Sequence, residues 1–141
     1  MIAKKKLYYF DTSIWLDLFE DRDEPNLPKG KWVHELIRKI ISQDDKIIYS
    51  DAVMDELMEL GYNEYELNEF LKPITLILVF VESTKKQWGR AKDLAKQRNI
   101  PIFDALHALI ARDNGALMIT RDSHFKKLLD INKYKRPEDF I

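Results

Sequence analysis

Residues 7–13 read LYYFDTS, a short apolar run that ends in one aspartate and two hydroxyl side chains. The run Leu7-Tyr8-Tyr9-Phe10 has the length and composition of a strand that is buried on both faces. Thr12 and Ser13 are residue types that cap helices, which predicts a helix beginning at Ile14. A strand that passes directly into a helix is the first half of a β-α-β unit. The stretch therefore predicts an α/β fold, with Asp11 at the strand–helix junction.

The rest of the chain repeats this alternation. Strand-like segments are expected at residues 46–49, 74–81 and 116–119, with a further brief strand near Phe140. Helices are expected at residues 32–43, 51–60, 63–71, 85–98, 103–112 and 124–129, and residues 21–31 are expected to form a surface loop. Such alternation predicts a three-layer α/β/α architecture with a central parallel sheet of four to five strands. We expect residues 1–141 to form a single domain.

Composition excludes several classes of protein. The 141 residues are 45% hydrophobic and 33% charged, which is an ordinary balance for a globular domain. The sequence has no cysteine, so disulfides, thiolate metal sites and cysteine nucleophiles are excluded. Its four glycines are not clustered into a phosphate-binding loop. No apolar run has the length of a signal peptide core or a membrane span, so we expect a soluble, cytoplasmic protein without a membrane partner.

Charge is unevenly distributed, although the formal net charge is only −1. Residues 51–69 contain seven acidic and no basic residues, whereas residues 85–98 contain six basic residues and one acidic residue. One interpretation is that these are two solvated helix faces. The other is an acidic metal site beside a basic surface that contacts a phosphate backbone. The charge pattern alone does not decide between them.

Four acidic residues occur where strands and helices meet. Asp11 follows the first strand, Asp122 follows the fourth, and Glu56 lies on the helix after the second. The carboxyl ends of parallel strands share one edge of the sheet, where ligands bind. Asp104 lies in the first turn of a helix. The alternatives are structural, because Asp11 and Asp122 can act as N-caps and Asp104 can stabilise a helix N-terminus.

Glu56 is harder to explain as surface charge. It lies three residues after Val53 and four before Leu60, on or beside the apolar face of its helix. Asp55 points elsewhere and is the better candidate for plain surface charge. Clustered carboxylates repel one another unless a cation binds them, and Mg²⁺ or Mn²⁺ prefers carboxylate oxygen. The expected chemistry is phosphodiester hydrolysis with one or two ions.

Four segments resemble, in order, the motifs of PIN-domain nucleases, and most closely those of the VapC-type toxins of toxin–antitoxin systems. These segments are Phe10-Asp11-Thr12-Ser13, Ser50 followed by Glu56-Leu57, Phe103-Asp104-Ala105-Leu106-His107-Ala108 and Thr120-Arg121-Asp122. The resemblance covers nearly the whole chain, including its closing residues 136–141. It implies a PIN fold, dependence on Mg²⁺ or Mn²⁺, and endonucleolytic cleavage of RNA. It also implies a homodimer and a protein antitoxin as partners.

The resemblance also assigns residues to the site. Asp11, Glu56 and Asp104 match the metal-binding, catalytic acids of the family, and Asp122 matches the usual fourth acid. Thr12 or Ser13 matches the hydroxyl position beside the first acid, and Thr120 is expected to give similar support near Asp122. All the expected acids are present.

Basic and aromatic residues are secondary candidates. Arg121, beside Asp122, is the best candidate for a phosphate contact, followed by Arg90 and Lys96 on the basic helix, for which a solvated face is the alternative. His107, less than one turn after Asp104, could reach the edge of the site as an acid–base group or ligand, but a hydrogen bond within or beside the core is the favoured expectation. His34 and His124 carry no functional signal.

The tryptophans and one apolar segment leave further alternatives open. Trp15, Trp32 and Trp88 either pack in the core or stack on bases, and packing is the commoner role. Trp15, Leu16, Leu18 and Phe19 are candidates for a dimer interface.

The leading hypothesis is therefore a metal-dependent endoribonuclease that acts as the toxin of a toxin–antitoxin pair. The alternatives are a non-catalytic PIN module that binds RNA or protein, and an RNA-processing or decay nuclease without an antitoxin. A metal phosphohydrolase acting on DNA or nucleotides is a further alternative.

Overall fold

A computed structural model describes residues 5–141, and within them strands and helices alternate along the chain. The strands are β1 (Leu7–Phe10), β2 (Asp23–Glu24), β3 (Leu27–Pro28), β4 (Lys46–Ser50), β5 (Leu78–Val81), β6 (Leu117–Ile119) and β7 (Tyr134–Lys135). The α-helices are α1 (Thr12–Phe19), α2 (Lys29–Ser42), α3 (Asp51–Glu59), α4 (Glu64–Leu71), α5 (Lys85–Arg98) and α6 (Ile102–Asp113). Short 3₁₀ helices span Lys72–Ile77, Ser123–Leu128 and Pro137–Phe140.

The central sheet has five strands in the order β5-β4-β1-β6-β7, and all of its pairings are parallel. Helices flank this sheet, so the predicted α/β architecture with a parallel sheet is confirmed. β1 lies at the centre, between β4 and β6. Because these three strands are parallel, the segments that follow them emerge at the same edge of the sheet. Those segments carry Asp11, α3 with Glu56, and Asp122.

The core lies on both faces of the sheet. Tyr8, Tyr9 and Phe10 are all buried although successive side chains of a strand point to opposite faces. Helix α6 is buried from Asp104 to Ala111, as expected for a helix packed between the sheet and α5. This rigid packing fixes where the first turn of α6, with Asp104, meets the edge of the sheet.

Two predicted boundaries near the N-terminus are wrong. The first helix begins at Thr12 instead of Ile14, because Asp11 itself is the N-cap and its side chain accepts a hydrogen bond from the Ile14 N–H. Residues 21–31 are not simply a loop. They contain the β2–β3 hairpin and the start of α2 at Lys29.

Two predicted strands are also shifted. Only residues 78–81 of the expected strand at 74–81 are extended, because Pro73 favours helical φ and residues 72–77 form a 3₁₀ helix. The expected brief strand near Phe140 lies earlier, at Tyr134–Lys135, and Phe140 ends a 3₁₀ helix. None of the helices in residues 5–141 has the length and apolar character that a membrane span requires.

Candidate active site

The carboxyl edge of the sheet encloses a cavity of about 150 Å³ that all four predicted acids line. Its lining residues are Asp11, Thr12, Ser13, Leu16, Glu56, Leu60, Asp104, His107 and Asp122. The acids come from four different elements, namely the end of β1, helix α3, the first turn of α6 and the segment after β6. Neither lysine nor arginine is among these lining residues.

Asp11 is held by three hydrogen bonds although it is buried. Its Oδ1 atom accepts bonds from the Ser13 hydroxyl at 2.7 Å and the Ile14 N–H at 3.2 Å. Its Oδ2 atom accepts a 2.6 Å bond from the Thr120 hydroxyl. Burial raises the pKa of Asp11, and the hydrogen bonds from Thr120 and Ser13 oppose that rise. Asp11 is therefore both the N-cap of α1 and part of the acidic cavity.

Glu56 is held through only one of its two oxygens. The Thr12 hydroxyl and the His107 Nε2 atom both contact Oε1, the latter at 2.9 Å. Within residues 5–141, no hydrogen-bond donor contacts Oε2. Burial favours protonation of Glu56, but the hydrogen bonds from His107 and Thr12 outweigh it, and the pKa lies below its usual range. Asp55 is exposed, as expected.

Asp104 and Asp122 share one histidine. The Nδ1 atom of His124 lies 3.0 Å from Oδ2 of Asp104 and 3.0 Å from Oδ1 of Asp122. Asp122 also caps the following 3₁₀ helix by accepting a 2.9 Å bond from the His124 N–H. Burial, and then the charge of Asp122, raise the pKa of Asp104 to about 7. The three side chains offer ligand atoms that all lie within 4.8 Å of one another.

The histidines were the least well predicted part of the site. His124, for which no functional signal was expected, lies against two of the four acids. Its position two residues after Asp122, in a turn that leads back to the cavity, was the available signal. The expected core hydrogen bond of His107 is confirmed by its contact with Tyr9. Its contact with Glu56 was not predicted.

The Arg121 side chain contacts carboxylates of the protein itself, whereas a phosphate contact was predicted. Its guanidinium contacts the carboxylates of Asp17 and Glu138 and lies 5.3 Å from the centre of the Trp32 ring. Only 16% of its side chain is exposed, and it does not line the acidic cavity. Arg121 therefore ties α1, α2 and the C-terminal segment together.

The other two predicted phosphate contacts, Arg90 and Lys96, are exposed on α5 and also lie outside the acidic cavity. Arg90 lines a separate cleft of about 460 Å³ with Lys86 and Arg112. Their role as substrate contacts stays a prediction.

The tryptophans pack instead of presenting free faces. Trp15 is fully buried, which also removes it from the candidate dimer interface. The Trp88 Nε1–H donates a 2.9 Å bond to the Ser83 hydroxyl, and its ring packs edge-on against Phe103. The Trp32 ring lies against the Arg121 guanidinium.

The donor set fits a hard divalent cation. The cavity gathers four carboxyl groups without a lysine or arginine in its lining. Burial, and then the charge of Asp122, raise the pKa of Asp104 there. Three carboxylate oxygens accept no hydrogen bond from residues 5–141, namely Oε2 of Glu56, Oδ1 of Asp104 and Oδ2 of Asp122. Carboxylate oxygens are the ligands that Mg²⁺ and Mn²⁺ prefer.

Comparison of the sequence with protein-family models identifies the family of the chain. The PIN domain model matches residues 8–129, so the chain belongs to the PIN-domain family. A search of curated protein sequences finds no match.

Several solved structures share the fold. VapBC2 from Rickettsia felis, bound to a DNA fragment from its promoter, is 18% identical with a TM-score of 0.65, and the match covers 92% of this chain and 98% of that chain. VapBC-1 from nontypeable Haemophilus influenzae is 20% identical with a TM-score of 0.64 and coverages of 94% and 98%. A toxin–antitoxin complex from Klebsiella pneumoniae is 18% identical with a TM-score of 0.62 and coverages of 92% and 97%.

Proposed function

We propose that this PIN-domain protein is a metal-dependent endoribonuclease that hydrolyses RNA phosphodiester bonds. The observation that carries the proposal is the convergence of Asp11, Glu56, Asp104 and Asp122 on one cavity whose lining contains no lysine or arginine. A single carboxylate at a strand end has an ordinary structural explanation as a cap. Capping does not explain four carboxylates from separate elements of the fold in one cavity, because their mutual repulsion must be compensated.

We assign the four acids as ligands of one or two Mg²⁺ or Mn²⁺ ions, with His124 beside Asp104 and Asp122. When bound, the metal would activate a water, screen the phosphate and stabilise the leaving oxygen. The resemblance of the sequence motifs to those of PIN-domain nucleases supports RNA as the substrate.

The protein's own side chains hold the acids in place before any ligand arrives. Ser13 and Thr120 fix Asp11, while Thr12 and His107 fix Glu56. Ligands that are already oriented lose less conformational entropy when a cation binds. The same contacts keep one oxygen of Glu56 without a protein donor.

We further propose that the protein acts in the cytoplasm as the toxin of a toxin–antitoxin pair. The support is the fold it shares with VapBC2, VapBC-1 and the toxin–antitoxin complex from Klebsiella pneumoniae, together with the order of its sequence motifs. Co-expression with the product of an adjacent small gene, followed by purification through a tag on one protein, tests this partner. Recovery of the tagged protein alone would contradict it.

We place the contact between two copies of the chain at the β5 edge of the sheet. Phe80 on β5 is 66% exposed, and Leu76 in the 3₁₀ helix before β5 is 90% exposed. β5 pairs with β4 on one side only. Exposed apolar side chains on an edge strand are typical of interaction surfaces. Light scattering should give a dimer for the wild type and a monomer for Phe80→Asp, whereas a dimer for both would place the contact elsewhere.

The enzymatic proposal is tested by a panel of substrates. Purified protein is incubated with single-stranded RNA, single-stranded DNA and a small phosphodiester, each with Mg²⁺, Mn²⁺ or EDTA. We expect internal cleavage of RNA alone, and only with a metal. Cleavage of DNA or of the small ester instead would indicate a different phosphohydrolase. No cleavage of any substrate by folded protein that binds Mn²⁺ would favour a non-catalytic binding module.

A further inference from the structure

A chain of hydrogen-bonded side chains leads from the interior of the sheet to the acidic cavity. It begins at Ser50, whose Oγ atom lies 2.7 Å from the Tyr9 hydroxyl. The Tyr9 hydroxyl lies 2.6 Å from Nδ1 of His107, and Nε2 of His107 lies 2.9 Å from Oε1 of Glu56. Ser50, Tyr9 and His107 are each at most 1% exposed, so no bulk water competes for these bonds.

The carboxylate at the Glu56 end of this chain fixes the direction of its hydrogen bonds. An ionised Glu56 only accepts hydrogen bonds, so Nε2 of His107 must carry a hydrogen. In a neutral imidazole the other nitrogen, Nδ1, is then an acceptor. The Tyr9 hydroxyl therefore donates to Nδ1. Its oxygen is left to accept the hydrogen of the Ser50 hydroxyl.

The reverse direction leaves a buried donor without a partner. If His107 donated from Nδ1, Tyr9 would accept that bond and donate to Ser50. The Ser50 oxygen already accepts the Val53 N–H at 3.2 Å, and within residues 5–141 its hydrogen would then have no acceptor. An unsatisfied buried polar group costs about 1–3 kcal/mol, which favours the first direction.

Packing holds the two rings in the orientation that these bonds need. The His107 ring stacks on Phe103 with centroids 6.1 Å apart and an angle of 28° between the planes. The centroid of the Tyr9 ring lies 5.5 Å from that of His107. A tyrosine hydroxyl has an ordinary pKa of about 10, so the Tyr9 hydroxyl keeps its proton at neutral pH. The donor at the centre of the chain is therefore permanent.

We propose that Tyr9 and His107 are positioning residues. Glu56 selects the Nε2–H tautomer of His107, the Tyr9 hydroxyl holds the ring by donating to Nδ1, and His107 holds Oε1 of Glu56. The remaining oxygen, Oε2, is thereby kept available for a divalent cation. The cation part of this inference rests on the proposed function. The tautomer is a property of the metal-free protein and does not depend on it.

The experiment combines two measurements on the full chain. Nitrogen NMR shifts of the His107 imidazole, recorded without metal at neutral pH, report which nitrogen carries the hydrogen. Calorimetric titration gives the dissociation constant for Mn²⁺. The test variant is Tyr9→Phe, which removes only the hydroxyl. The matched control is Tyr8→Phe, since Tyr8 is also buried in β1 but its hydroxyl makes no side-chain hydrogen bond in the described structure.

We expect the Nε2–H form in the wild type and in Tyr8→Phe. Tyr9→Phe should keep the Nε2–H form, because Glu56 still accepts that bond, while its Nδ1 shift moves to that of a ring nitrogen without a donor. The variant should bind Mn²⁺ about 10–100-fold more weakly, the usual effect of losing a group that orients a metal ligand. A His107→Phe variant, which retains the stacking, should bind Mn²⁺ as weakly.

The inference is overturned by an Nδ1–H tautomer in the wild type, which is measurable even if Tyr9→Phe does not fold. It is also overturned if folded His107→Phe binds Mn²⁺ with wild-type affinity, or if the wild type does not bind Mn²⁺. A protein that shows the expected tautomer and affinities but cleaves no RNA would support this inference while contradicting the proposed function.

Discussion

Asp104 and His124 form the closest link between α6 and the segment that follows β6, with Oδ2 of Asp104 3.0 Å from Nδ1 of His124. The same nitrogen lies 3.0 Å from Oδ1 of Asp122. The imidazole therefore lies between two carboxyl groups that repel each other when both are ionised, and it forms a hydrogen bond with Asp104. A ring nitrogen in this position can also serve as a ligand of a divalent cation.

Removing this imidazole should weaken cation binding. We predict that His124→Ala binds Mn²⁺ about 10–100-fold more weakly than the wild type, because the group that orients two ligands is lost. Calorimetric titration measures the change. The control is His34→Ala, since His34 is exposed and its nearest acid is Asp21 at 3.7 Å. Equal affinities for the wild type and His124→Ala would remove His124 from the site.

The hydroxyl of Thr120 should contribute to stability through Asp11. Thr120→Val keeps the shape of the side chain but removes the 2.6 Å bond to a carboxylate that is 3% exposed. An acceptor left unsatisfied in such a position costs about 1–3 kcal/mol of unfolding free energy. Urea unfolding measures this loss. Thr75→Val removes bonds to the Leu71 and Lys72 carbonyls at an exposed position, where water can replace the hydroxyl, so it should stay within about 0.5 kcal/mol of the wild type. A similar loss in both variants would show that the Asp11 contact is not the cause.

Stability of the metal-free protein should fall as the pH rises. Burial and then the charge of Asp122 raise the pKa of Asp104 to about 7, whereas an unfolded aspartate has a pKa of about 3.9. Between these values the folded chain holds a proton that the unfolded chain has released. The free energy of unfolding therefore decreases with rising pH, by at most about 1.4 kcal/mol per pH unit for this group. The raised pKa of Asp11 acts in the same direction.

Urea unfolding in EDTA across this pH window measures the slope. Asp104→Asn cannot titrate at this position, so its slope should be shallower. Saturating Mn²⁺ should reverse the trend in the wild type, because the cation binds the ionised acids and stabilises the folded state more as the pH rises. Identical slopes for the wild type and Asp104→Asn would show that Asp104 titrates normally.

Arg121 should be needed for stability and not for binding RNA. Its partner Asp17 has a side chain that is 5% exposed, and removing one member of a buried ion pair costs about 3–5 kcal/mol. Arg22, 4.0 Å from Asp17, remains as a second cation, so we expect a loss near the lower end of that range for Arg121→Ala. Arg121→Lys should restore only part of it, because lysine lacks the planar guanidinium that lies against Trp32. Unchanged stability with weaker RNA binding would instead support a phosphate contact.

Segments that end at clear capping or turn residues were predicted correctly, because those residues fix where a strand or helix stops. The run from Leu7 to Phe10 and the helix at residues 85–98 lie where the sequence placed them. The segment at residues 74–81 failed because a short apolar run does not distinguish a strand from a buried helix. The preceding Pro73, which fixes a helical φ, decided the outcome for its first half.

The sequence predicted that the four acids lie together, because strand ends meet at one edge of a parallel sheet, and all four line one cavity. The roles of the histidines were not predicted, because they depend on tertiary contacts. His124 contacts Asp104, 20 residues away in sequence, and His107 contacts Glu56, 51 residues away. The contacts of Arg121 were not predicted, for the same reason. Adjacency to Asp122 suggested the cavity, whereas its side chain turns toward Asp17 on α1.

The most direct test of the central claim compares two neighbouring acids of α3. Glu56 lines the cavity, whereas Asp55 is exposed and does not. The measurement is the initial rate of single-stranded RNA cleavage in Mn²⁺ by the wild type, Glu56→Gln and Asp55→Asn, each shown to be folded. We predict a loss of at least about 100-fold for Glu56→Gln, in the range seen when one stabilising group of an active site is removed, and a near wild-type rate for Asp55→Asn. RNA cleavage by Glu56→Gln at the wild-type rate, or an equal loss in Asp55→Asn, would contradict the account.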